Sequence, residues 1–81
     1  MEYLMNQIEA GQVYQHYKGK TYKIIALARN SENPENIMVV YQAEYDCPAF
    51  GQNPIWTRPH KMFTEKLIIN GLEQPRFKRI S

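Results

Sequence analysis

The chain has 81 residues, enough for one domain with a small core. At 43% hydrophobic and 22% charged it has the composition of a folded globular domain, which excludes a wholly disordered chain. The net charge of +2 is thin for a dedicated polyanion binder, but it is unevenly placed: residues 1–55 carry four Lys/Arg against six Asp/Glu, and residues 56–81 carry six against two.

Leu4, Met5 and Ile8 fall on one face of a short helix over residues 2–10, with Gly11 as its stop; the alternative is a docked arm. From Gln12 the pattern is that of strands. Residues 12–18 are aromatic and β-branched, Gly19-Lys20 reads as a tight turn, and Thr21 to Arg29 forms the second arm of a hairpin. Its centre, Ile24 to Ala28, is apolar on both faces, which predicts a strand covered on both sides.

Asn30 to Asn36 reads as a loop, because Ser, Asn and Pro cluster there and Pro34 has no N–H for a ladder. Ile37 to Tyr45 predicts a third strand with Ile37, Val39, Tyr41, Ala43 and Tyr45 on one face. Asp46 to Pro54 is the longest irregular stretch. Ile55 to Arg58 is a short strand ended by Pro59, and His60 to Thr64 one helical turn that sends Met62 and Phe63 into the core. Asn70-Gly71 is the strongest hairpin signal in the chain and joins strands at Lys66–Ile69 and from Leu72 onward. Trp56, Phe63 and Phe77 are expected in the core. The fold class expected is mainly β: a small antiparallel SH3-like barrel or open sandwich of five to six strands, with a short N-terminal helix and one helical turn, in one domain over residues 1–81.

Cys47 is the single cysteine, so no internal disulfide holds the fold. Met1 to Met5 lacks the basic start of a signal peptide, and no apolar run approaches the roughly 20 residues that cross a bilayer. These features predict a cytoplasmic protein without a membrane partner. His16, His60 and Cys47 are isolated from one another in sequence, whereas zinc takes closely paired ligands, so no metal ligand is assigned and no cofactor is expected. Asp46 beside Cys47 disfavours a thiolate, and Ser31-Glu32 with a distant His is no triad signature, so no catalytic residue is assigned.

The recognition chemistry lies in amphipathic aromatics and fixed cations. On the first strand Tyr14, His16 and Lys18 share a face opposite Val13, Gln15 and Tyr17. Arg29 and Arg58 each end a strand, and an arginine fork suits carboxylate or phosphate. The candidate ligand-binding set is therefore Tyr14, His16, Tyr17, Lys18, Arg29, Glu32 and Arg58, with Arg29, Arg58 and His16 converging at one rim. The bland alternative pairs Arg29 with Glu32 and Arg58 with a carboxylate or turn carbonyl, which fixes loops and nothing more. The expected partner is a protein segment or a small anionic ligand, bound by a monomer or weak dimer. Alternatives are RNA or single-stranded DNA, through stacking aromatics and the basic C-terminal third, and an enzyme acting on a small anionic substrate.

Five pieces occur in order that together resemble a known family. They are Gly11-x-x-Tyr14-x-His16-Tyr17-Lys18-Gly19-x-x-Tyr22, Ala28-Arg29-x-Ser31-Glu32, Val39-Val40-Tyr41-Gln42, Trp56-x-Arg58-Pro59-x-x-Met62-Phe63 and Pro75-Arg76-Phe77. Over residues 11–78 the chain is similar to the bacterial domain of unknown function 1653. The resemblance implies a small β-rich domain in the bacterial cytoplasm and no activity. The chain departs from the pattern at Asn30, where family members usually have His, and at Asn33-Pro34, where they often have Thr. Cys47 to Asn53 looks like an elaboration of a shorter family loop.

Overall fold

The computed structural model describes residues 7–81. In chain order the elements are β1 (Val13–His16), β2 (Thr21–Asn30), β3 (Asn33–Ala43), β4 (Ile55–Pro59), the four-residue helix α1 (His60–Phe63), β5 (Lys66–Ile69), β6 (Leu72–Pro75) and β7 (Phe77–Arg79). Five of the strands form an antiparallel sheet in the order β4-β3-β2-β1-β7, and β5 and β6 form a separate hairpin. Because β4 and β7 end the sheet without meeting, the barrel is not closed, and the open alternative is the one realised. The expected helix over residues 2–10 lies mostly outside the described residues. Within its span, 7–9 are irregular, Ala10-Gly11 form a turn, and Ile8 is buried in the core.

One face of the sheet carries the core. Ile8, Ile24, Val39, Tyr41, Phe63 and Phe77 form a single buried cluster, with Tyr14, Tyr22 and Trp56 packed against it. The alternation expected for β3 is present: Val39, Tyr41 and Ala43 are buried on the same side. Phe63 enters from α1 and lies flat on Phe77, ring centroids 4.1 Å apart and planes 4° from parallel. Its neighbour Met62 remains exposed, so the helical turn contributes one side chain to the core and not the two expected.

β2 is not covered on both sides. Ile25 and Leu27 are 39% and 45% exposed. Ile25 forms a β-bulge: Ile24 pairs with Tyr41 but Ala26 pairs with Val40, so Ile25 has no opposite number. The bulge inverts the phase of the strand. Tyr22 and Ile24 face the core before it, and Leu27 and Arg29 share that face after it, opposite Val39 and Ile37.

The loop expected over residues 30–36 contracts to Ser31-Glu32. The Asn30 side chain accepts the Glu32 N–H at 2.8 Å, closing the turn locally. Pro34 costs the ladder nothing, because the register jumps from Arg29↔Ile37 to Asn30↔Asn33 and residues 34–36 bulge out unpaired. At Asn70-Gly71 the expected hairpin forms, with φ of +53° and +81° at the two central positions, the left-handed pair of a type I′ turn. Arg76 closes its base: the Arg76 N–H donates to the Glu65 carbonyl at 3.0 Å, and the guanidinium meets the Glu65 carboxylate at 2.6 Å.

Candidate functional site

The core face ends in a cluster of cations and aromatic rings around Phe77. β7 is short, but it pairs with β1 in the register His16↔Phe77, which brings the first strand's imidazole against the last strand's phenyl, centroids 5.0 Å apart and edge to face. Arg58 comes from β4, at the opposite edge of the sheet from β7. Its Nε donates to the Tyr41 hydroxyl at 3.2 Å, and its guanidinium carbon lies 5.6 Å from the Phe77 ring centre. Tyr17 follows His16 into the turn and its ring sits 4.4 Å from the imidazole, with the Lys18 ammonium 5.8 Å from the Tyr17 ring centre.

The charge state of His16 follows from these neighbours. Its pKa is held below the ordinary histidine value by burial first, then by the positive charges of Arg58, Arg76 and Lys18. Its Nδ1 also accepts the Lys18 backbone N–H at 3.1 Å, which assigns the ring proton to Nε2. Neutral His16 is thus a hydrogen-bond donor at the edge of a cationic patch. Beside it, the hydroxyls of Tyr22 and Tyr45 share a hydrogen bond at 2.6 Å, and Lys20 stands 4.6 Å over the Tyr45 ring. Burial, and then that hydroxyl pair, pushes the Tyr22 phenol well above its usual range.

Counter-charge is scarce here. Among the described residues the one ion pair is Arg76–Glu65. Arg58 is half-buried and meets no carboxylate among the described residues; its side chain bonds a neutral phenol. Arg76 is more enclosed, with 19% of its side chain exposed and its Nε buried without an acceptor.

The residues expected to form one site separate into three groups. His16, Tyr17, Lys18 and Arg58 gather around Phe77 as described. Tyr14 shares their face but serves the core: its ring meets Phe63 edge-on at 5.3 Å, its hydroxyl donates to Gln12 Oε1, and burial raises its pKa against the charge of Arg79. Arg29 and Glu32 lie at the far end of β2. Arg29 donates to the Pro34 carbonyl at 2.8 Å and is not among the cations around His16, so the three-way convergence of Arg29, Arg58 and His16 does not occur, nor does the Arg29–Glu32 pair. The bulge at Ile25 and the jump at Asn30 together set where that end of β2 points.

Arg29 instead lines a separate open cleft of about 830 Å³ between the β2–β3 tip and α1, together with Leu27, Glu35, Ile37, His60 and Lys61. Its charges are of both signs, so it selects no ligand charge. Sequence reasoning missed Arg76 and the Tyr22–Tyr45 pair as members of the cationic cluster.

No helix among the described residues is long and apolar enough to cross a membrane, which says nothing of strands. A comparison with curated proteins finds no match. Among solved structures the chain is similar to the crystal structure of a DUF1653 protein from Bordetella bronchiseptica. The identity is 33%, the TM-score is 0.77, and the match covers 94% of this chain and 91% of that one. The family model described as "Protein of unknown function (DUF1653)" matches residues 12–79, the span from the first strand to the last, and the chain belongs to that family.

Proposed function

We propose that the domain is a small binding module that receives an anionic group, carried by a protein segment or a small ligand, at the patch formed by His16, Tyr17, Lys18 and Arg58. The observation that carries this reading is Arg58: a half-buried guanidinium held by Tyr41 and Phe77, with no carboxylate among the described residues to neutralise it. Partly burying a cation without a counter-charge is unfavourable, and a bound carboxylate or phosphate removes that cost while accepting the fork's remaining N–H groups. His16 Nε2 adds a neutral donor, Lys18 an exposed cation, and Tyr17 an exposed ring for the apolar part of the ligand. Two strands and a turn position these groups before any ligand arrives, which limits the ordering cost of binding.

The test is a backbone amide NMR titration with inorganic phosphate and, separately, N-acetylglutamate. Saturable shifts at residues 16–18 and 58 are expected, with affinity falling about tenfold or more in Arg58→Ala, the scale of a charge-assisted hydrogen bond. Lys18→Ala, an exposed change, gives a smaller loss without touching the core. Absence of saturable shifts with both anions, or equal binding by wild type and Arg58→Ala, sinks the proposal.

A further inference from the structure

The sheet exposes one edge whose hydrogen-bonding groups are complementary to themselves. Among the described residues β4 has a single neighbour, β3. The Ala43 N–H donates to the Pro54 carbonyl at 2.9 Å, and the register continues Gln42↔Ile55, Tyr41↔Trp56, Val40↔Thr57 and Val39↔Arg58. Antiparallel ladders alternate, so Pro54, Trp56 and Arg58 turn their main chains toward β3. Ile55 and Thr57 turn theirs outward, and each offers one N–H and one C=O to an open side.

We propose that this edge pairs with the same edge of a second copy of the chain, antiparallel, about a two-fold axis at Trp56. That register sets Ile55 opposite the partner's Thr57 and Thr57 opposite the partner's Ile55, and each pair exchanges two hydrogen bonds. Neighbouring registers fail. Centring on Thr57 sets Ile55 against the partner's Pro59, which has no N–H. Centring on Ile55 sets Thr57 against the partner's Asn53, whose φ of +41° is not that of a strand. The Trp56 register therefore satisfies the outward groups of both Ile55 and Thr57, and it places Trp56 beside the partner's Trp56 as a non-hydrogen-bonded pair, the closer of the two antiparallel spacings.

The side chains agree with a partner of this kind. Ile55 is 59% exposed and Phe50, whose ring meets Trp56 at 5.1 Å, is 65% exposed, so apolar surface flanks the open edge. Between Pro54 and Arg58, the two outward residues Ile55 and Thr57 carry no charge, so the charge and prolines that guard an edge strand stand only at the ends of this one. The opposite edge is guarded: β7 has three residues, two of them Lys78 and Arg79. An acidic peptide is the less favoured occupant, since nothing on Ile55 or Thr57 selects charge. The pairing does not depend on the anion patch, because Arg58 falls opposite the partner's Pro54, at the margin of the new ladder.

Sedimentation velocity from micromolar to near-millimolar concentration tests this. Wild type is expected to shift from monomer to dimer, and Ile55→Lys, which alters an exposed side chain, to dissociate about tenfold or more easily while keeping its melting temperature. Hydrogen exchange on the wild type gives a readout independent of any variant: the amides of Ile55 and Thr57 should slow as concentration rises. A wild type that stays monomeric, a dimer unaffected by Ile55→Lys, or exchange at those two amides that ignores concentration overturns the proposal. An acidic peptide that protects those amides in a protein that remains monomeric does the same.

Discussion

Phe63 joins a four-residue helix to the sheet through one side chain, and its loss should be the most damaging single truncation in the domain. The ring is 1% exposed, stacks on Phe77 at 4.1 Å, and meets Tyr14 and Tyr41 edge-on at 5.3 Å each. Truncating a buried Phe to Ala costs about 3–5 kcal/mol, of which the aromatic pairings supply about 0.5–1.5 kcal/mol each. A domain of this size has a total stability of roughly 4–12 kcal/mol, so Phe63→Ala removes about a quarter of it or more. Near the midpoint each kcal/mol moves the melting temperature of so small a domain by about 4–8 °C, which predicts a fall of more than about 12 °C. Phe63→Leu keeps most of the volume and loses the ring pairings, so it should fall between wild type and Phe63→Ala. Circular dichroism melts, checked by urea titration, measure both. A loss below about 1 kcal/mol for Phe63→Ala would refute the reasoning, since that is a surface value and not a core one.

His16 gives a pH dependence with a defined sign. Its folded pKa lies below the unfolded value of about 6.5, so the unfolded chain binds the extra proton. Its contribution is therefore complete above that value and lost as pH falls through the folded pKa; urea titrations from pH 8 to 5 should show a decline that His16→Gln lacks. At Gly71, where φ is +81°, alanine is strained and should destabilise the β5–β6 hairpin by about 1 kcal/mol or more. Because β6 is exposed throughout, that loss should appear as faster amide exchange over residues 66–75 with little change in the global melt.

What the sequence made legible was local. Asn70-Gly71 specifies its turn through two left-handed φ values, and β3 declares its buried face because nothing interrupts its alternation between Ile37 and Ala43. The run Ile24 to Ala28 misled because a bulge and a doubly covered strand write the same letters: both give consecutive apolar residues, and only pairing with β3 separates them. The site suffered the same way. His16, Tyr17 and Lys18 are adjacent in the chain and stay together, and Arg58 reaches Phe77 beside them from the other edge of the sheet, across the core face. Arg29 was expected to join them, but two register shifts it could not announce put it in another cleft. Arg76 went unassigned because its burial depends on Glu65, eleven residues earlier across the hairpin.

The pairing of β1 with β7 governs how the domain holds together as a chain. β2 and β3 meet across a two-residue turn and cost little to bring together, whereas His16↔Phe77 closes a loop of about 60 residues, an entropic cost of about 3–4 kcal/mol beyond a constant. Two buried rings, stacked on each other, stand at that closure. Phe77 belongs to the closing strand and Phe63 to the segment it encloses, and each contributes about 1.5–3 kcal/mol by leaving water. Apolar burial is thus concentrated where the chain loses most freedom. Neither ring can stay buried once the clasp opens, so the two ends of the fold are released together, and the cationic patch on Phe77 is dismantled in the same step.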